Sequence, residues 1–215
     1  DAKLTDPSRA LTVLMTVKAD GDKEVLLARV DLQRRLKMFA QLEVSLDALS
    51  HVLIEPVQVA DVHAERGDLL RFELNRSETA IEAYGSAVAC DPSQVGALKG
   101  LVDLYREQER FGELASTIEQ MVGYTDGFEK VDLLTELSRV RLEQLGRRES
   151  ALESITQAFE LDGDEPAVLR MMIQAQRSTG DISAALASYE RLHSVYQVEG
   201  YDEPAAPFKH SIGEL

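Results

Sequence analysis

The sequence predicts an all-α protein built from helical hairpins repeated along the chain. Three observations carry this expectation. The stretch Asn75 to Pro92, NRSETAIEAYGSAVACDP, places a small residue at Ala80, an aromatic at Tyr84 and another small residue at Ala87, which is the spacing of one helix face. The first position of that trio recurs at Ala10, Leu42, Ala80, Leu114, Ala151 and Ala185, in steps of 32, 38, 34, 37 and 34 residues. Self-similarity at such a period means units that bury their apolar faces only against neighbours. With 44% hydrophobic residues among 215, the chain can supply a core, and the period spreads that core as a ribbon between units.

The elements follow in order. Pro7 and Ser8 suit a helix start, since Pro is pre-organised for the first turn. Ala10, Leu14 and Val17 repeat the trio spacing, so residues 1–21 read as a half-repeat whose first helix is missing, ended by Asp20-Gly21-Asp22. Five hairpins are expected over 22–196. The first has Val25, Leu26, Val30, Leu32 and Leu36 on its first helix, then Phe39, Leu42, Leu46 and Leu49, with Pro56 as the stop. The 38-residue step predicts a longer connection after it. The second carries Leu69, Leu70 and Phe72, then Ala80, Tyr84 and Ala87, and Asp91-Pro92 closes it; Cys90 reads as core.

In the third hairpin Leu98, Leu101 and Tyr105 precede a turn at Glu109-Arg110, followed by Phe111, Leu114, Ile118 and Met121. The fourth has Leu134, Leu137, Val140 and Leu145 before Gly146, which suits a left-handed helix stop, and then Ala151, Ile155 and Ala158. The fifth runs through Val168, Leu169, Met172 and Ile173 to Gly180-Asp181, then Ile182, Ala185, Tyr189 and Leu192. Met171 and Met172 read as packing. Residues 197–215, with Pro204 and Pro207, are expected to form an irregular tail or a short capping helix.

These residues resemble the tetratricopeptide repeat: the turn Gly180-Asp181 followed by Ala185 and Tyr189, the series Ala80, Tyr84, Ala87 and Pro92, and Leu101 with Tyr105. The resemblance implies a right-handed superhelix, or α-solenoid, of antiparallel helix hairpins. It further implies that first helices line a concave groove, the usual peptide-binding surface of similar proteins. The match is uneven. Leu42 and Leu114 replace the small residue, Gly163 stands where Pro is usual, and the second unit's first helix is shifted by one residue. Those units are expected to splay or pack differently.

Charge bounds the partners. Lys plus Arg number 23 against 38 Asp plus Glu, a formal charge of −15, which opposes a broad phosphate-binding surface, so no nucleic acid is expected. No run reaches the ~18 consecutive apolar residues of a membrane span. Ala10 to Val17, the most apolar segment, lacks a basic leader and a cleavage site. The chain opens on Asp1 and not on Met, so a fragment or a processed form is expected, and the single Cys90 names no compartment. His51, His63, His193 and His210 show no metal-binding spacing. The sequence contains no glycine-rich phosphate loop, nucleophile elbow or diagnostic carboxylate pair, so neither catalytic residues nor a cofactor are expected.

If the helical register holds, Lys99, Asp103 and Arg106 of the third unit face the groove, with Arg170, Gln174 and Arg177 of the fifth. Arg66 and Arg139 join them from the second and fourth. Arg offers a carboxylate a rigid fork of donors, so the groove suits an acidic or carboxylate-ended peptide. The competing reading makes these ordinary solvated residues paired with acids one turn away. Some tetratricopeptide proteins clamp a terminal carboxylate with a Lys and an Asn four residues later. Here Lys99 is followed by Asp103, whose like charge repels such a ligand, so that clamp is not expected. The expected function is a non-catalytic protein-protein interaction scaffold. Two alternatives remain: a structural segment of a longer array or homo-oligomer, self-associating through the open N-terminal end, and a regulatory or sensor domain of a larger enzyme or transcription factor.

Overall fold

The computed structural model describes residue 12 and residues 22–199. The expected half-repeat over 1–21, apart from a helical Thr12, and the tail from residue 200 lie outside the described residues. Among the described residues the structure is helical throughout, with no strand. In chain order the helices are α1 Lys23–Arg35, α2 Phe39–Val52, α3 Pro56–Asp68, α4 Ser77–Cys90 and α5 Val95–Glu107. They continue as α6 Phe111–Val122, α7 Gly127–Arg139, α8 Arg148–Leu161, α9 Pro166–Thr179 and α10 Ile182–Glu199. Two of them run on into a π-helical turn: α3 through Leu69–Glu73 and α7 through Val140–Gln144. The chain divides into two compact units, Asp1–Gln108 and Glu109–Leu215, so α1 to α5 belong to one and α6 to α10 to the other.

One turn geometry joins the two helices of every hairpin. Lys37, Asn75, Glu109, Gly146 and Gly180 all have positive φ, between 53° and 86°, and each stands two residues before the next helix begins. Their spacings of 38, 34, 37 and 34 residues are those of the small-residue trio, so turn and core share one period. A left-handed residue lets the chain reverse within two residues, and only glycine enters that region without a steric cost. Glu109, exposed at φ 56°, carries the cost. Glu109→Gly is therefore expected to stabilise the protein by about 0.5–1 kcal/mol, less than the full strain because glycine also widens the unfolded ensemble. A urea midpoint that does not rise would contradict this.

The two long repeat steps have a cause the sequence pattern did not show. The connection between α2 and α3 is residues 53–55 and that between α4 and α5 is 91–94, so no longer link follows the first hairpin, contrary to expectation. The extra residues lie inside the first helices instead. With their π turns, α3 spans 56–73 and α7 spans 127–144, against 95–107 for α5. A π turn inserts one residue into the helical ladder and displaces everything beyond it. That displacement accounts for the one-residue shift in the second unit. It also corrects the reading of Phe72: Leu69 and Leu70 are buried, but Phe72 is 64% exposed, with the Arg71 guanidinium carbon 4.8 Å from its ring centre.

Pro56 likewise does not stop α2, which ends at Val52; it opens α3, as Pro166 opens α9, because the missing N–H costs nothing in a first turn. Cys90, read as core, is half-buried at the end of α4. In the first unit Leu26, Val30, Leu42, Leu46, Leu49 and Leu69 form one apolar cluster, and Tyr84 centres a second with Leu70, Ala80, Ala87, Ala97 and Leu101. In the second unit Val131, Leu134, Ile155, Ala158, Met171 and Met172 form one cluster, and Leu169, Ile173, Ala185 and Leu192 another. Leu42 and Leu114 are as fully buried as the alanines they replace, so the core absorbs the larger side chains.

Candidate functional site

The solvent faces of α3 and α5 are positioned by a wedge beneath them. Tyr84 of α4 is 1% exposed, and its ring lies between Gly67 of α3 and Gly100 of α5. A Cβ at Gly67 would meet the ring at 2.5 Å, and one at Gly100 would meet it at 2.5 Å from the other side. The two glycines let three helices close on one aromatic side chain. The phenol then donates to Asp68 Oδ1 at 2.6 Å. Counted from the positive-φ turn residue, the second unit places Ser138, Ile155 and Met171 where the first has Gly67, Tyr84 and Gly100. There the central side chain is smaller, its flanks are larger, and Ser138 Oγ donates to the Ala151 carbonyl at 2.8 Å. The bulk that the first unit places at the centre of the seam stands on its flanks in the second.

Burial, and then the bond to Asp68, hold the Tyr84 phenol well above its ordinary pKa. The folded chain thus keeps this proton more tightly than the unfolded chain does. The resulting stability is intact below pH ~10 and is lost progressively as pH rises from the unfolded value towards the higher folded one. Between pH 8 and 11 the urea midpoint of the native chain should accordingly fall more steeply than that of Tyr84→Phe. Parallel curves would contradict the assignment.

The candidate groove residues fall into two groups. Arg66 turns toward α2, where it pairs with Glu43 at 2.6 Å and Asp47 at 2.8 Å. Asp103 accepts from Arg71 at 3.1 Å and from Arg106 at 3.0 Å, and Arg71 also pairs with Glu107 at 2.8 Å. Asp103 and Arg106 are thus brought together, and Lys99 is exposed on the same helix, α5. In the second unit Arg170 donates to the Tyr196 hydroxyl at 2.5 Å, and Gln174 donates to Glu143 at 3.0 Å. Arg139 is exposed and Arg177 half-buried; among the described residues neither has a carboxylate partner.

Three participants escaped the sequence reading: Arg71, Glu143 and Tyr196. Arg71 and Glu143 sit in the π turns, off the expected stripe. A usable signal does exist in the one-repeat spacing. Arg34 and Glu65 pair at a separation of 31 residues, Gln94 and Asp61 at 33, and Arg71 and Asp103 at 32. Complementary side chains one period apart mark Arg71 and Glu143, the latter 31 residues from Gln174, but not Tyr196, which is 26 residues from Arg170.

His63 of α3 is held below its ordinary pKa, first by burial and then by Arg66. Among the described residues no group of three or more His, Cys, Asp or Glu is placed to hold a metal, and no helix is long and apolar enough to cross a membrane.

No family model matches the sequence, and neither does any curated protein. Solved structures do. The C-terminal part of a TPR repeat-containing protein from Cytophaga hutchinsonii aligns with a TM-score of 0.56 at 16% identity, over 92% of this chain and 77% of that one. MamA aligns with a TM-score of 0.54 at 12% identity, over 85% and 96%. YrrB, described as a TPR protein with an unusual peptide-binding site, aligns with a TM-score of 0.50 at 19% identity, over 72% and 85%. With the shared period, the common turn and the small-residue seams, the chain has the fold of the tetratricopeptide-repeat proteins.

Proposed function

We propose that the chain is a non-catalytic scaffold that binds an acidic protein or peptide segment along the first helices of its hairpins, chiefly α7 and α9. One observation carries the reading. In a chain with 38 acidic and 23 basic residues, Arg139 and Arg177 keep their charge uncompensated, and Arg170 bonds a neutral hydroxyl. Where carboxylates are in surplus, a guanidinium without one is available to a carboxylate from outside. Gln174 adds a neutral amide on the same helix, which tolerates either a peptide carbonyl or an N–H. In the first unit Arg66 is already neutralised by Glu43 and Asp47, and Arg106 by Asp103, so these residues and Lys99 contribute less than the second unit's arginines. The peptide-binding site ascribed to YrrB is consistent with such a role in a similar fold.

The test is affinity capture with mass spectrometry, comparing the native chain with Arg139→Glu/Arg170→Glu/Arg177→Glu. Partners retained by the native chain should be lost by the variant, while a circular dichroism spectrum confirms that the variant is folded. Capture of the same partners by both would overturn the assignment.

A further inference from the structure

A separate groove lies along the outer side of α8. It has a volume of about 580 Å³ and is lined by Glu149, Leu152, Glu153, Thr156 and Gln157, with Thr179 from the end of α9. The α8 residues recur at helical spacing, so they form one face of one helix. Leu152 is half-buried in the floor. Thr156 Oγ1 donates to the Leu152 carbonyl at 2.8 Å and Thr179 Oγ1 to the Gln176 carbonyl at 2.9 Å. Both hydroxyls are therefore engaged with their own helices, leaving their methyl groups to the groove.

Glu149 and Glu153 stand one turn apart and exposed, so their charges repel. Although α8 opens with Arg148, and Arg147 precedes it, neither carboxylate has a cationic partner among the described residues. At the far end of the same helix the chain supplies its own cation: Arg191 of α10 lies 4.9 Å from the ring centre of Phe159 and pairs with Asp164 at 2.9 Å. That flank of α8 thus already seats a cation with an apolar shaft beside an acid. The groove offers the same combination, Leu152 beside Glu149 and Glu153.

We propose that this groove docks a basic amphipathic helix of a partner protein, one apolar side chain resting on Leu152 and flanking Lys or Arg residues pairing with Glu149 and Glu153. Its charge preference is opposite to that of the α7 and α9 faces, so the two sites take different ligands and stand or fall separately. The apolar contact supplies affinity, and the paired carboxylates set orientation and encounter rate.

The probe is a fluorescein-labelled 14-residue amphipathic peptide of leucine and lysine, followed by anisotropy against the full chain at physiological ionic strength. Saturable one-to-one binding is expected, weakened at least roughly tenfold by Glu149→Gln/Glu153→Gln. The control is Asp132→Asn/Glu82→Gln, an equal change of charge at exposed positions off the groove. It should leave affinity within about twofold, since exposed charges beyond a Debye length are screened. Because all four side chains are exposed, the variants should melt with the native chain. Equal weakening by both pairs would mean that net negative charge alone attracts the peptide, and would overturn the proposal. So would the absence of saturable binding to the native chain.

Discussion

Gly100→Ala is expected to destabilise the first unit by about 1–3 kcal/mol, the usual penalty for forcing volume into a closed core. An exposed helical Gly→Ala would instead stabilise, because alanine is the better helix former. The sign is reversed because a Cβ at residue 100 would stand 2.5 Å from Tyr84 Cζ, and the ring cannot retreat: on its other side Gly67 leaves it equally little room. Gly67→Ala should behave alike. The contact makes a further demand. Tyr84→Ile is damaging alone, since it opens a cavity, but in the Gly100→Ala background it removes the clash, so the two changes together should cost less than their sum. Urea denaturation of the four chains measures this coupling. A Gly100→Ala variant at least as stable as the native chain would contradict the wedge.

The second large effect is expected at Ile155, where the change toward the repeat's usual aromatic should do harm. Ile155 is fully buried in one cluster with Met171, and Ser138, also fully buried, and Met171 stand at the repeat positions that hold the two glycines beside Tyr84. Ile155→Tyr must therefore push Met171 aside and break the bond from Ser138 to the Ala151 carbonyl. A loss of about 1–3 kcal/mol is expected from overpacking, with more if the serine hydroxyl is left unpaired. Thermal unfolding followed by circular dichroism would show it. A gain in stability would mean that the seam accepts an aromatic whatever its flanks, and that the inverted volumes of the two units are unrelated.

These two sites also show what the sequence made legible. The period, the turns at Glu109, Gly146 and Gly180 and most of the buried apolar positions follow from side-chain spacing, because helix packing imposes its repeat directly on apolar residues. Ala80, Tyr84 and Ala87 are all in the core as expected. The π turns in α3 and α7 were not legible, since an inserted residue in a helix looks the same in sequence as one inserted in a loop. For that reason the spacing places Phe72 in the interior and the long step in a connection, and it passes over Arg71 and Glu143. Helical register says which face a side chain leaves from, not which partner it finds. Arg66 shows the difference: it lies on the expected helix, yet it is spent on Glu43 and Asp47 of the helix before.

The most direct test of the account is to locate a bound partner on the surface of the full chain. A photo-crosslinking residue would be placed at Gln174 on α9, and in a second chain at Glu190 on α10; both positions are exposed. Crosslinked partners would then be identified by mass spectrometry after irradiation. Binding along the first helices predicts a discrete crosslinked species from position 174 that disappears when Arg139, Arg170 and Arg177 are reversed, and none from position 190. The same species arising from 190 but not from 174, or persisting after the reversal, would contradict it.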